Sequence, residues 1–255
     1  MTNTCLNCGT ELKGKYCHVC GQENKHAKID WHFVWHDIQH GLLHIDKGIL
    51  YTCKELLLRP GYSIKDYLQG KRVKHFKPIS FVIVLAGLYG FLTHYFDISL
   101  IKSNVRVDGS GTEAEETRAF INTIAEWIGN HYTIVTLIQI PFFTISTYLF
   151  FRKSGYNFVE HFIFNSYVTG IRLLLHLAVF PVYYFFKHSP ALVPFAQATD
   201  MLSFVVVFWA MYQFFSGTKP LLRSLKIFLS FLATMGMGIL LLFIVAQVLL
   251  PAALH

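Results

Sequence analysis

Charge is scarce in this sequence. Only 15% of its 255 residues are Asp, Glu, Lys or Arg, while 53% are hydrophobic. An ordinary soluble domain carries about 25% charged residues, so a purely water-soluble globule is a poor description of the whole chain. Acidic residues are the rarer sign, 15 against 22 Lys and Arg, which leaves a net charge of +7. Catalytic patterns are missing as well. There is no His-Glu-x-x-His, no Gly-rich phosphate loop, no pair of carboxylates inside an apolar run, and no Ser-x-x-Lys inside one. Those absences argue against the commonest metalloprotease and nucleotide-hydrolysing schemes. Residues 1–30 lack the apolar stretch that a secretory leader needs, so no cleavable signal peptide is expected.

What is abundant is apolar sequence in long runs. Segments near 78–96, 133–151, 162–186, 196–215 and 227–250 each approach the ~20 residues that cross a hydrocarbon core. The expected fold class is therefore mostly α: a polytopic helical membrane protein of about five spans. Twelve of the 22 Lys and Arg precede Pro78, where those runs begin. Such a basic face suits either nucleic acid or a membrane. The apolar runs decide for the lipid bilayer with its anionic headgroups, and no nucleic-acid partner is expected. Loop charge alternates: basic at 65–77, acidic at 97–126, basic at Arg152-Lys153, nearly neutral at 187–199, basic around Lys219, Arg223 and Lys226. This predicts an N-terminus in the cytosol and a C-terminus outside. The polar region 98–126 reads as an outer loop running into an amphipathic helix around Glu113–Trp127.

Five cysteines are present, four of them within 16 residues as two Cys-x-x-Cys pairs: Cys5 and Cys8, then Cys17 and Cys20. A glycine follows each pair, at Gly9 and Gly21. Two such knuckles supply four thiolates to one tetrahedral ion, the pattern of a closed structural zinc site. The expected cofactor is zinc, which folds a stretch too short to bury a core of its own. A closed site leaves no open position for a substrate. Cys53 lies beyond the next helical region and is not expected to join. The domain organisation is then a zinc ribbon over 1–25, an interfacial helical region with a basic collar over 26–77, and a membrane domain over 78–255.

Within 26–77, Trp31, Val34, Trp35, Ile38, Leu42, Ile45 and Ile49 share one stripe at helical spacing. The stripe fits a helix lying in the membrane interface, or one packed on the ribbon or the bundle. His32, His36, His40 and His44 recur every four residues beside it. Neighbouring pairs could share a metal, but a solvated face near acidic lipid needs no ligand. The collar itself runs through Lys65, Lys71, Arg72, Lys74 and Lys77 immediately before the first span. Arg59, Lys71 and Arg72 are its candidate anion- or lipid-binding residues.

Inside the spans, ionisable residues are where function is sought first. Arg172 is the one Lys or Arg well inside an apolar run, and His176 lies one turn further on. Both are candidate anion- or lipid-binding residues. Asp200 is expected towards the opposite face of the membrane, leaving them without an acidic partner. Asn165, Gln139, Gln213 and Gln247 are further polar side chains that could face a bundle. Thr234, Gly236 and Gly238 in the last run are small enough for close helix packing.

Tyr16-Cys17-His18-Val19-Cys20-Gly21-Gln22, with the first knuckle before it, resembles the opening of the bacterial membrane family called domain of unknown function 3667. Arg59-Pro60-Gly61, Tyr67, Gly70-Lys71-Arg72 and Pro78 resemble that family's second signature. The resemblance covers residues 5–78 and implies the same architecture, multi-pass in a bacterial cytoplasmic (inner) membrane, with no assigned activity. Two readings follow. One is a non-enzymatic scaffold, regulator or lipid- or partner-binding protein, whose ribbon and collar meet a cytosolic protein or headgroups. The other is a transporter or channel-like protein for a small anion or lipid, using Arg172 and His176. Oligomeric state, substrate and partner identity are not legible.

Overall fold

The computed structural model describes residues 4–23, 29–31, 35, 48–98 and 111–253. The histidine ladder His32, His36, His40 and His44 lies outside the described residues, as does most of the stripe around it. Eight α-helices occur among the described residues: α1 (Gly48–Leu58), α2 (Pro60–Leu68), α3 (Pro78–Tyr95), α4 (Thr112–Asn130), α5 (Tyr132–Phe151), α6 (Phe158–Phe186), α7 (Leu192–Phe214) and α8 (Pro220–Ala253). No strand occurs among them; isolated bridges join Thr4 to Glu11 and Tyr16 to Glu23 in the ribbon.

Local sequence sets the helix starts. Pro60, Pro78 and Pro220 each open a helix, where a missing N–H costs nothing and φ is already set. Arg59, forced out of helical geometry by the proline after it, separates α1 from α2 with φ −149°. Asn157 and Glu160 form a capping box. The Glu160 amide donates to Asn157 Oδ1 at 2.8 Å, and the Asn157 amide donates to Glu160 Oε2 at 2.7 Å. The cap starts α6 at Phe158, ahead of the apolar run, and the helix continues for 29 residues.

Among the described residues, five helices are long and apolar enough to cross a membrane: Pro78–Tyr95, Tyr132–Ser154, Phe158–Phe186, Leu192–Phe214 and Pro220–Leu241. The chain is thus a mostly α, multi-pass membrane protein with an N-terminal four-cysteine cluster. The starts of α6 and α8 and the ends of α5 and α7 gather at one end of the bundle, while α3 begins further along α6, where Phe76 meets Tyr167 and Phe81 meets Gly170. Asn157 Nδ2 donates to the Ile29 carbonyl at 3.2 Å. The rings of Phe151 and Phe215 stack at 3.8 Å. Arg223, at the start of α8, donates through Nη1 to the Tyr212 carbonyl at 2.8 Å and lies 3.8 Å over the Tyr212 ring.

α6 is the central post, packed by α3, α5 and α7. Its Tyr167, fully buried, donates to the Phe76 carbonyl at 2.7 Å. α2 wedges between α6 and the last turns of α7. Gly61 makes that crossing possible: its amide donates to Gln213 Oε1 at 3.0 Å, and a Cβ there would sit 2.5 Å from the Ala210 carbonyl oxygen. α8 is peripheral. It touches α5, where Thr234 Oγ1 donates to Ser146 Oγ at 2.8 Å. Only 11% of Pro220–Leu241 is buried, which leaves most of its length for lipid.

Candidate functional site

The two knuckles fold alike. In the first, the Cys5 amide donates to the Thr10 carbonyl and the Gly9 amide to the Cys5 carbonyl, both at 2.8 Å. In the second, Cys17 donates to Gln22 and Gly21 to Cys17, again at 2.8 Å. Gly9 and Gly21 take φ of +75° and +74°, a turn that an L side chain would strain. The turns bring Cys5, Cys8, Cys17 and Cys20 together, with all four Sγ atoms within 4.8 Å of one another. Cys5 and Cys20 are 3.5 Å apart, as are Cys8 and Cys17. A tetrahedron with metal–sulfur bonds of about 2.3 Å has edges of about 3.8 Å, so the donor set fits one ion. The Thr10 hydroxyl and amide hold the Cys8 thiol down at about 6, while desolvation pushes Cys20 up to about 11. A bound cation would favour the thiolate at all four. Cys53 stands apart on α1, half-buried, its thiol pushed up by burial.

The ribbon is latched to the collar by the residue after its second knuckle. Gln22 Nε2 donates to the Gly70 carbonyl at 2.7 Å, and Gln22 Oε1 accepts from the Arg72 amide at 3.4 Å. Leu6 of the first knuckle covers Gly70. The three collar candidates do not share one role. Arg59 pairs with Glu55 one turn back and with Asp66 Oδ2 at 3.2 Å, and Lys71 Nζ pairs with Asp66 Oδ1 at 2.7 Å. Arg72 bonds the Tyr67 carbonyl at 3.2 Å and lies over the Tyr67 ring. Lys65 Nζ reaches Ser216 Oγ at 2.6 Å, tying α2 to the end of α7.

Beneath the collar, His75 Nδ1 lies 2.8 Å from the Lys71 carbonyl, and its Nε2 lies 3.1 Å from Ser63 Oγ. A carbonyl only accepts, so Nδ1 carries the proton and Nε2 accepts from the serine. The arrangement has the form of a nucleophile and its base, but Ser63 is completely buried. It is a packing element, and no substrate reaches it.

In the membrane domain the expectation for Asp200 is corrected. Asp200 Oδ1 lies 3.4 Å from His176 Nε2. The two helices are antiparallel, and the residues sit eight and ten positions from the same end of the bundle, hence at one depth. His176 Nδ1 meets the Tyr183 hydroxyl at 3.1 Å, and Tyr183 also bonds Thr199. The Tyr89 ring packs edge-on to His176 at 5.8 Å and against Tyr132 at 4.9 Å. Arg172, half-buried, comes within electrostatic reach of Tyr132. Four helices thus contribute to one polar cluster. Its three tyrosines and Thr199 carry no sequence signal that separates them from ordinary span residues. Of the other polar side chains, Gln213 holds Gly61, Gln139 is exposed, and Asn165 is buried against Thr147.

No curated protein and no solved structure matches this chain. Residues 46–90 match the model of a family described as a protein of unknown function (DUF3667), the same family that the motifs at residues 5–78 resemble.

Proposed function

We propose that this chain is a non-enzymatic scaffold of the bacterial inner membrane, whose cytosolic zinc ribbon holds a basic collar in position for anionic lipid headgroups. The observation that carries this reading is the Gln22 bridge to Gly70 and Arg72. It joins the metal-organised knuckle to the collar backbone. Between Glu55 and Lys77 there are six basic side chains against two acidic ones, so the paired Arg59 and Lys71 still sit in a positive field. Each basic residue near an anionic surface contributes about 1 kcal/mol of attraction. The alternating loop charge puts the ribbon and collar on the cytosolic side, and the C-terminus outside. Cys5, Cys8, Cys17 and Cys20 hold the zinc.

The test is reconstitution of the full chain at defined lipid composition. Retained phosphatidylglycerol should exceed retained phosphatidylcholine in native mass spectrometry, and the triple change Lys71→Gln, Arg72→Gln and Lys74→Gln should reduce that excess. Equal retention in wild type and triple variant would remove the collar from headgroup binding. A cytosolic protein captured only by the wild-type collar would replace lipid with a protein partner. The second reading, passage of a small anion or lipid, draws on the polar cluster around Arg172 and His176.

A further inference from the structure

Arg172 lies at the midpoint of α6, 14 residues from Phe158 and 14 from Phe186, so about 21 Å of helix separates it from either end. An arginine in mid-span costs roughly 2.5–3.5 kcal/mol on insertion scales unless it is satisfied. Among the described residues its guanidinium makes no hydrogen bond or ion pair. The five described spans hold two carboxylates, Glu160 and Asp200. Glu160 is used in the cap of α6, and Asp200 is held by His176 at 3.4 Å. The guanidinium donors are thus left unmatched among the described residues. A group that bears two oxygens can meet them, since the planar fork pairs with carboxylate or phosphate through two parallel hydrogen bonds.

We infer that Arg172 anchors an anion-binding site inside the membrane bundle, which takes the phosphate or carboxylate oxygens of a lipid headgroup or of a free acid. Tyr132, at the first turn of α5, is within electrostatic reach of Arg172 and supplies a hydroxyl beside the bound oxygens. Tyr89 buttresses Tyr132 from α3. Asp200 lies 3.4 Å from His176 and is not paired with the guanidinium. The cluster draws Tyr132 from α5, Arg172 and His176 from α6 and Asp200 from α7, with the Tyr89 ring on the α3 side. The site shares residues with the transporter reading but requires binding alone.

The experiment uses the full-length protein in an uncharged maltoside detergent. Thermal unfolding is followed against inorganic phosphate, acetate and dihexanoyl phosphatidylglycerol, with choline chloride at matched ionic strength as control, and native mass spectrometry reads any anionic lipid already retained. Wild type should show a saturable rise in Tm with at least one anion, or a retained anionic lipid. Response to the short-chain lipid alone identifies a headgroup as the source; response to phosphate or acetate identifies a free acid. Arg172→Leu should lose the saturable response and, when combined with Lys71→Gln, Arg72→Gln and Lys74→Gln, the anionic lipid that the collar variant alone still retains. Arg172→Lys should weaken them at least several-fold, because a point charge replaces the fork. If Arg172→Leu does not fold, Tyr132→Phe reports instead, with a weaker saturable response measured against that variant's own basal Tm. Lys153→Gln, in the exposed turn between α5 and α6, should leave the response intact; its loss there would assign the response to general surface charge. No saturable response and no retained anion in wild type, or the same response in Arg172→Lys and Tyr132→Phe as in wild type, overturns the site.

Discussion

Gln22 and Gly70 meet across 48 residues of chain, side-chain amide to backbone carbonyl at 2.7 Å. Gln22 also uses its own carbonyl to close the second knuckle, accepting from the Cys17 amide. One residue therefore carries the geometry of the metal site into the collar. The collar backbone at Gly70 has a φ of +103°, and it turns there to send Lys71 and Arg72 back over α2. Knuckle geometry and the position of the basic residues form one mechanical sequence.

Metal removal should loosen the collar. The ribbon is too small to hold its turns through burial alone, so a strong chelator should free the four thiols and release Gln22 from Gly70. The expected outcome is about one zinc per chain before chelation. Afterwards, amide exchange at Arg72 should be faster, with exchange in α6 unchanged. Slow thiol modification without chelator, becoming fast with it, checks the same step. Unaltered exchange at Arg72 in metal-free protein would break the coupling.

Gln22→Ala separates the two halves of that sequence. The change removes one short hydrogen bond and one long one, worth about 1 kcal/mol net, and touches no thiolate. Zinc content should stay at the wild-type value while Arg72 exchange rises. A variant that loses metal as well would mean that Gln22 acts inside the knuckle, not as the latch.

Gly61→Ala should unseat α2 from α7. The new methyl would meet the Ala210 carbonyl oxygen and the Phe214 amide nitrogen at 2.5 and 2.6 Å, and backbone atoms cannot yield as a side-chain tip can. Overpacking of this kind costs about 1–3 kcal/mol. Thermal unfolding should show a lower Tm, accompanied by loss of protection at Gly61, whose amide donates to Gln213.

Much of this architecture was legible in the sequence, and the boundary is physical. Cysteine spacing and flanking glycine fix a local turn, so the four-cysteine cluster could be read from residues 5–21 alone. Hydropathy marks spans because lipid contact is a property of the segment. The start of α6 at Phe158 was hidden, since the capping pair Asn157 and Glu160 is polar and lies ahead of the apolar run. The partnership of His176 with Asp200 was also hidden. It depends on counting depth from a shared end of two antiparallel helices, and the apolar run of α7 begins later than the helix does. Gln22 and Gly70 meet through tertiary docking, for which no periodicity gives notice. The histidine ladder at His32, His36, His40 and His44 lies outside the described residues and stays a sequence observation.

Acid should weaken the packing beneath the collar through His75. Burial is the main cause that holds its pKa below the usual value, with Arg59 adding to it; the Lys71 carbonyl, Asp66 and Glu55 pull the other way. The folded protein thus prefers the neutral ring, whose Nε2 accepts from Ser63. Unfolded histidine takes its proton near pH 6.5. The stability that His75 contributes is therefore complete above about pH 6.5 and is lost as pH falls from there towards its lower folded value. Tm measured from pH 7.5 down to about 5 should fall more steeply in wild type than in His75→Gln, which cannot titrate. Equal slopes would assign the acid sensitivity to other histidines.

The buried junction of α5 and α6 offers a sharper test of polar packing in the span. Thr147 Oγ1 donates to the Thr144 carbonyl at 3.2 Å. Its proton is thus committed, and the same oxygen accepts from Asn165 Nδ2 at 2.8 Å and from His161 Nδ1 at 3.2 Å. Thr147, His161 and Asn165 are completely buried. Thr147→Val keeps the shape and removes the oxygen. Asn165 keeps its bond to the His161 carbonyl, but the His161 Nδ1 proton then faces a methyl group. An unmatched buried donor costs about 1–3 kcal/mol, more than the usual loss for an isosteric change. Thr147→Ser, which restores the oxygen and loses only a methyl, should cost less. The ordering wild type above Thr147→Ser above Thr147→Val in Tm checks the network. If Val equals or exceeds Ser, the methyl contact matters more than the oxygen, and Thr147 is held for packing alone.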